Sequence, residues 1–139
     1  FDVPYGRVWD AAMHTALSLE YRPAFVQPAR GLLVAERDDP PSAIALFSNS
    51  PLGGLQERWW SLQIRLVITC RSLDERRTEV VVRSSLMARS SPVVDRRRHP
   101  ADLVPLDSNG TPERQWLEAL DAFVSGRYPD MSTWPKPLR

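Results

Sequence analysis

The sequence is short of the side chains that most metal sites and nucleophilic catalysts need. It has one cysteine and two histidines among 139 residues. One thiol cannot form an internal disulfide, and no second thiol is there to share a cysteine zinc site. No HExxH, CxxC or GxSxG motif occurs, and Gly53-Gly54 lacks the lysine and Ser/Thr of a phosphate loop. We therefore expect no metal, no cofactor and no catalytic residue, and a domain that is not an enzyme.

Lysine, net charge and long apolar runs are scarce as well. All but one of the 18 basic residues are arginines, and the formal net charge is +1. So small a net charge does not indicate a partner such as nucleic acid. No apolar run approaches the roughly 18–20 residues of a membrane-spanning helix. We expect membrane association only through an anchor outside this sequence.

Positive charge is nevertheless concentrated in the middle of the chain. Residues 58–99 carry ten basic and four acidic side chains. Adjacent arginines can hold phosphate or carboxylate groups, which makes such a run a candidate site for an anionic surface or an acidic partner. A solvated charged loop is the alternative interpretation. The candidate residues are Arg96, Arg97, Arg98 and His99.

Trp59 is a further candidate for binding a partner. It is followed by Trp60, and adjacent residues of a strand point to opposite faces of the sheet. Trp60 shares the parity of the predicted core, so Trp59 is expected on the other face, where an exposed tryptophan can anchor a partner. Cover from a loop or from the tail around Trp134 is the alternative.

Two segments have the apolar spacing of helices with one buried face. The first is predicted over residues 5–20, with His14 turned toward water. The second has Thr111 as its predicted N-cap and Pro112 as its first helical residue, and it ends at Gly126. The first apolar stripe contains Trp9, Ala12, Met13, Ala16 and Leu17; the second contains Trp116, Leu117, Leu120, Phe123 and Val124.

The remaining periodic segments predict strands. Apolar and polar residues alternate along residues 60–71, and a second long strand follows over residues 78–88, so the two predict an antiparallel hairpin. Cys70 shares the core parity and is expected to be a buried, unreactive thiol. Shorter strands are predicted at residues 1–3, 25–27, 32–36 and 43–47.

This order of elements predicts an α+β fold in which a two-layer antiparallel sheet has an N-terminal and a C-terminal helix packed on one face. We expect a single domain over residues 1–128, with a long loop at about residues 90–111. Residues 129–139 contain three prolines and are expected to form an extended tail.

The order of these patterns also resembles a known family. Phe1-Asp2-Val3-Pro4 precedes Val8-Trp9-Asp10-Ala11-Ala12, and Gly31–Ala35 and Thr78–Val82 follow further along. In this the chain is similar to the helix-grip domains of the bacterial outer-membrane assembly lipoprotein C component and of related small envelope lipoproteins. The resemblance implies a non-enzymatic protein-interaction domain in a cell-envelope complex, periplasmic or associated with the outer membrane.

A second resemblance gives the alternative function. START and polyketide-cyclase-like carriers also open with a strand and a V-W-x-A helix, and they hold an apolar small molecule. The carrier interpretation predicts a pocket of several hundred Å³ between the sheet and the helix at 112–126. The protein-interaction interpretation predicts a tight core without such a pocket, which the short connection Tyr21-Arg22-Pro23 favours. An enzyme would show titratable groups converging in a cleft.

Overall fold

The computed structural model describes residues 1–49, 59–90 and 103–135, with the backbone alone for Trp59, Trp60 and Ser90. Its five strands form one antiparallel sheet in the order β1-β2-β3-β4-β5. The elements are α1 (Tyr5–Ser18), β1 (Arg22–Gln27), a 3-10 turn (Pro28–Arg30), β2 (Leu32–Asp39), α2 (Ala43–Phe47), β3 (Trp59–Asp74), β4 (Arg77–Ser90), β5 (Leu103–Leu106) and α3 (Thr111–Val124).

The long hairpin of β3 and β4 is the centre of the sheet. Its register runs from the pair Trp59 and Ser90 to the pair Asp74 and Arg77. The predicted parity of β3 is confirmed, because every second residue from Leu62 to Cys70 is buried. Cys70 is a free, buried cysteine, as expected. Strict alternation over many residues fixes which face of this hairpin meets the core.

The helices α1 and α3 pack on that same face. Val8, Ala12 and Ala16 of α1 and Trp116 and Leu120 of α3 belong to one cluster of buried side chains with the inner face of the sheet. The predicted α+β class, with both helices on one face of an antiparallel sheet, is therefore confirmed. Leu17, expected in the buried stripe of α1, is instead 65% exposed.

The turn between β1 and β2 depends on Gly31. Its φ of 65° lies in the left-handed region, which costs glycine little. The carbonyl of Gly31 accepts a 2.7 Å hydrogen bond from the backbone N–H of Cys70 on β3. A Cβ at Gly31 would overlap the carbonyl oxygen of Cys70. The strands predicted at residues 25–27 and 32–36 are confirmed, and the close approach of the Gly31 and Cys70 backbones explains the glycine.

Two predicted strands are wrong. Residues 43–47 form the helix α2, in which Ala43, Ile44 and Phe47 are buried. A five-residue apolar run does not distinguish a buried strand from one turn of buried helix. Residues 1–3 are not a strand, although Phe1 and Thr78 exchange two backbone hydrogen bonds of 2.9 Å.

The segment predicted as a loop at residues 90–111 contains the strand β5, which pairs with β4. Leu106 lies opposite Leu86, and Leu103 lies opposite Arg89. Residues 91–102 lie outside the described part of the chain. Four residues with a proline at position 105 are too few to show a period, so the pattern missed this edge strand.

The start of α3 differs from the prediction by one residue. Gly110, with a φ of 87°, is the N-cap, and Thr111 is the first helical residue. Asn109 Oδ1 accepts a 2.9 Å hydrogen bond from the N–H of Thr111. The Thr111 side chain therefore does not cap the helix as predicted, and Asn109 instead accepts from the first helical N–H.

The predicted extended tail is described as far as Pro135. Its chain turns back at Met131, whose carbonyl accepts a 3.2 Å hydrogen bond from the N–H of Trp134. Trp134 is half-buried and packs against the core cluster. This part of the tail is thus attached to the domain rather than extended away from it.

Candidate functional site

An open cleft of about 870 Å³ lies at one end of the space between the sheet and α3. We call it the Arg37 cleft. Its walls come from the end of α1, from β1 and β2, from α2 and α3, and from the tail. Its lining includes Leu19, Arg37, Asp39, Phe47, Gln115 and Trp134.

Arg37 is held in one orientation at the base of this cleft. Its guanidinium lies 4.5 Å from the centroid of the Tyr21 ring. Nη1 donates a 3.0 Å hydrogen bond to the carbonyl of Leu19, and Nη2 donates one of 2.9 Å to Oδ2 of Asp39. The planar guanidinium both stacks and forms directed hydrogen bonds, which a lysine could not do in the same place. Arg37 therefore fixes the end of α1 to the end of β2.

Tyr21 forms the support beneath Arg37. Its ring is buried and meets Trp116 edge to face, with 5.8 Å between the ring centroids. Burial raises the pKa of Tyr21 to about 12, although the nearby Arg37 charge acts in the opposite direction. The phenol is consequently neutral at physiological pH and serves as a packing surface.

Two buried N–H groups on the neighbours of Tyr21 have no hydrogen-bond acceptor among the described residues. They are Nε of Arg37 and Nε1 of Trp116. A buried donor without an acceptor costs about 1–3 kcal/mol. Because protein atoms enclose both N–H groups, neither is open to a ligand in the cleft.

The carboxamide of Gln115, unlike these two N–H groups, is open to the cleft. Gln115 lies on the buried side of α3 and is only 8% exposed. Its carboxamide has no hydrogen-bond partner in the described part of the chain, yet neither carboxamide atom is fully enclosed. A nine-tenths buried amide that is open to a cleft offers one donor group and one acceptor to whatever occupies that cleft.

Among the described residues that line the cleft, carboxylates outnumber guanidinium groups. Arg22 pairs with Asp38 at 3.1 Å, and Arg37 pairs with Asp39 at 2.9 Å. Glu20 also lines the cleft, is exposed, and forms no ion pair with any described residue. One lining carboxylate is thus left without a paired cation.

A smaller hollow of about 390 Å³ lies between α1 and α3. His14 is exposed there, as predicted, and its ring meets Phe123 edge to face at 4.5 Å. Arg7 donates a 3.0 Å hydrogen bond to the carbonyl of Val124 at the end of α3. These contacts join the two helices, and we assign this hollow to their packing.

The residues predicted as a binding site are ones whose side chains the structure does not describe. Arg96, Arg97, Arg98 and His99 lie outside the described residues. Trp59 begins β3 and pairs with Ser90, while its side chain is not described. Binding of a partner by these five residues stays a prediction.

A detectable signal for the cleft was present in the sequence. Arg37 has the same parity in β2 as the buried Leu33 and Ala35. Gln115 precedes the buried Ala119 by one helical turn. Polar residues at core-facing positions are uncommon, and they mark places where the core opens toward something polar.

Within the described ranges, no group of three or more His, Cys, Asp or Glu side chains could hold a metal ion. No described helix has the length and apolar character needed to cross a bilayer. The fold and the site together define a small α+β domain with an open cleft at one end of its sheet. No family model, curated protein or solved structure matches the chain.

Proposed function

We propose that this domain is a non-enzymatic binding protein whose Arg37 cleft holds a small organic ligand. The observation that carries the proposal is the cleft itself. Its volume of about 870 Å³ is within the range of roughly 300–1,000 Å³ for small-molecule sites. It opens at one end of the space between the sheet and α3, and the carrier interpretation expects a pocket in that space.

The lining favours a ligand of mixed character over a purely apolar one. Leu19, Phe47 and Trp134 supply apolar surface, while Gln115 and the Arg37–Asp39 pair supply polar groups. An apolar ligand would leave the carboxamide of Gln115 without a partner, which is unfavourable for a buried amide. We therefore infer a ligand with an apolar body and at least one hydrogen-bonding group.

Native mass spectrometry tests this function. The protein is incubated with a small-molecule extract of its source cells, desalted and measured intact. We expect one discrete added mass on the wild-type chain. Gln115→Leu removes the polar contact in the cleft and is expected to reduce the fraction carrying this mass.

The matched control is Gln63→Leu, which makes the same change on β3, outside the cleft lining. It should retain the added mass at the wild-type level. The absence of any added mass, or equal loss in the two variants, contradicts a small-molecule site in the Arg37 cleft.

The envelope protein-interaction function is a second candidate, and the outer face of the sheet favours it. Phe25 and Val81 are 47% and 40% exposed on the face opposite the helices. Half-buried Val34 and Val67 continue the cross-strand row of Phe25, which lies next to the row of Val81. Exposed apolar side chains on one face are typical of surfaces that bind protein. The partner would be an envelope protein, in the periplasm or at the outer membrane.

Site-specific crosslinking in the source cells tests this second function. A photoreactive residue at position 81 should give one discrete crosslinked product in the envelope fraction, and Phe25→Glu in the same chain should remove it. The control position is Leu117, which is exposed on α3 on the other side of the molecule. An equal product at position 117, no product at position 81, or a product in the cytosolic fraction contradicts this function.

A further inference from the structure

We propose that the Arg37 cleft selects organic cations, that is, an ammonium or guanidinium group carried on an apolar body. This inference rests on the proposed function, because it names the ligand class for the same site. Three features of the described residues support it: the charge balance of the lining, the unpartnered Gln115, and the aromatic and aliphatic walls.

Among the described residues that line the cleft, the charge balance is negative. Glu20, Asp38 and Asp39 contribute three carboxylates, whereas Arg22 and Arg37 contribute two guanidinium groups. Each guanidinium already forms an ion pair, so an anionic ligand would have to compete with a carboxylate of the protein for it. A cationic ligand meets the uncompensated charge of Glu20 instead. The potential at the mouth of the cleft thus favours positive charge.

The deeper polar groups can accept hydrogen bonds from a cation. The side chain of Asp39 is 11% exposed, and only its Oδ2 is used by Arg37. Gln115 adds a carbonyl oxygen with no partner among the described residues. An ammonium group donates up to three hydrogen bonds and accepts none, so its needs match these oxygens. Charge-assisted hydrogen bonds of this kind are stronger than neutral ones.

The walls suit the apolar body of such a ligand. Phe47 and Trp134 both line the cleft, and aromatic faces attract cations as well as apolar groups. The indole N–H of Trp134 donates a 3.1 Å hydrogen bond to Oε2 of Glu118, which holds the ring in place. Leu19 adds aliphatic surface at the end of α1.

Isothermal titration calorimetry with three probes of matched shape tests the selection. The probes are phenethylammonium, 2-phenylethanol and phenylacetate, which differ in charge and share the aromatic body. We expect phenethylammonium to bind the whole chain about two- to fivefold more tightly than 2-phenylethanol, as a partly exposed ion pair provides. Phenylacetate should bind most weakly, and added salt should reduce the preference for the cation.

Glu20→Gln should bring the affinity for phenethylammonium close to that for 2-phenylethanol. The matched control is Glu75→Gln, which removes the same charge from the turn between β3 and β4, outside the cleft lining. It should leave the order of the three probes unchanged. Equal losses in the two variants would mean that net charge, and not the cleft, determines the preference.

Failure of the cation selection and failure of the proposed function are distinguishable. If phenylacetate binds as tightly as phenethylammonium, or if none of the probes binds, the cation selection is wrong. The proposed function still stands or falls on the added mass from the cell extract, which these probes do not supply.

Discussion

At the scale of single residues, Gly31 makes the clearest prediction. Gly31→Ala places a Cβ against the carbonyl oxygen of Cys70 and retains a φ of 65° that alanine disfavours. Overpacking and backbone strain together predict a loss of about 2–4 kcal/mol in the free energy of unfolding. Urea unfolding followed by circular dichroism measures it.

The control for this prediction is Gly6→Ala in α1. A Cβ at Gly6 meets no atom within 4 Å, and its backbone is helical. Alanine should therefore raise the free energy of unfolding by about 0.5–1 kcal/mol. If Gly31→Ala were as stable as the wild type, the close approach of Gly31 to β3 would be refuted.

Cys70 predicts a dependence of stability on alkaline pH. Burial raises the pKa of its thiol from 9.0 to about 11. The folded state thus holds its proton more tightly than the unfolded state does, and this contribution to stability is complete below pH 9 and is lost as the pH rises through 11. We expect the wild type to lose about 1–2 kcal/mol more than Cys70→Ala between pH 8 and pH 11.

Unfolding of both proteins by urea at the two pH values measures this difference. Tyr21 and Tyr5 also have raised pKa values and remain in both proteins. Because the Cys70 charge contributes to the raised pKa of Tyr5, the comparison measures the thiol together with its effect on Tyr5. Identical pH dependence in the wild type and Cys70→Ala would show that the thiol is not buried as described.

Some of these residue positions followed from the sequence and others did not. Alternation along β3 predicted the buried position of Cys70, since the period of a strand determines the face of each side chain. The roles of Arg37 and Gln115 were not predicted, although both occupy core-facing positions. What they contact depends on Tyr21, Asp39 and the tail, and periodicity says nothing about contacts between separate elements.

Among the secondary-structure elements, α3 is expected to contribute strongly to stability because its inner side packs on the sheet. Leu120 is fully buried against the sheet and α1. Leu120→Ala should lower the free energy of unfolding by about 2–5 kcal/mol, through lost transfer energy and a cavity. Leu117→Ala, at a position of the same helix that is 37% exposed, should lower it by only about 1 kcal/mol.

Chemical denaturation of the two leucine variants distinguishes a docked helix from a loose one. The denaturant dependence should be the same in both, because only the folded packing changes. Similar small losses in the two variants would mean that α3 does not pack on the sheet.

Long elements were predicted more accurately than short ones. The helices α1 and α3 and the hairpin of β3 and β4 have enough residues for a period to repeat. The five residues of α2 and the four of β5 do not, and their conformations depend on neighbours such as α3 and β4. Short elements placed by tertiary contacts are thus the ones that the pattern misassigned or missed.

At the scale of the whole molecule, the Arg37 cleft is a product of distant segments. Its walls combine residues 18–22, 37–40 and 47 with Gln115 and residues 131–135 of the tail. The order of elements was enough to predict the α+β class, because two amphipathic helices must bury their stripes on one sheet. The shape of the opening at the sheet end was not predictable from that order.

Binding of phenethylammonium can be mapped by ¹H–¹⁵N NMR on the whole chain. The largest chemical-shift changes should fall on Leu19, Glu20, Asp39, the side-chain amide of Gln115 and the indole of Trp134, and Gln115→Leu should reduce them. Changes centred on His14 and Tyr128 between α1 and α3, or no saturable change at all, would contradict an organic-cation site in the Arg37 cleft.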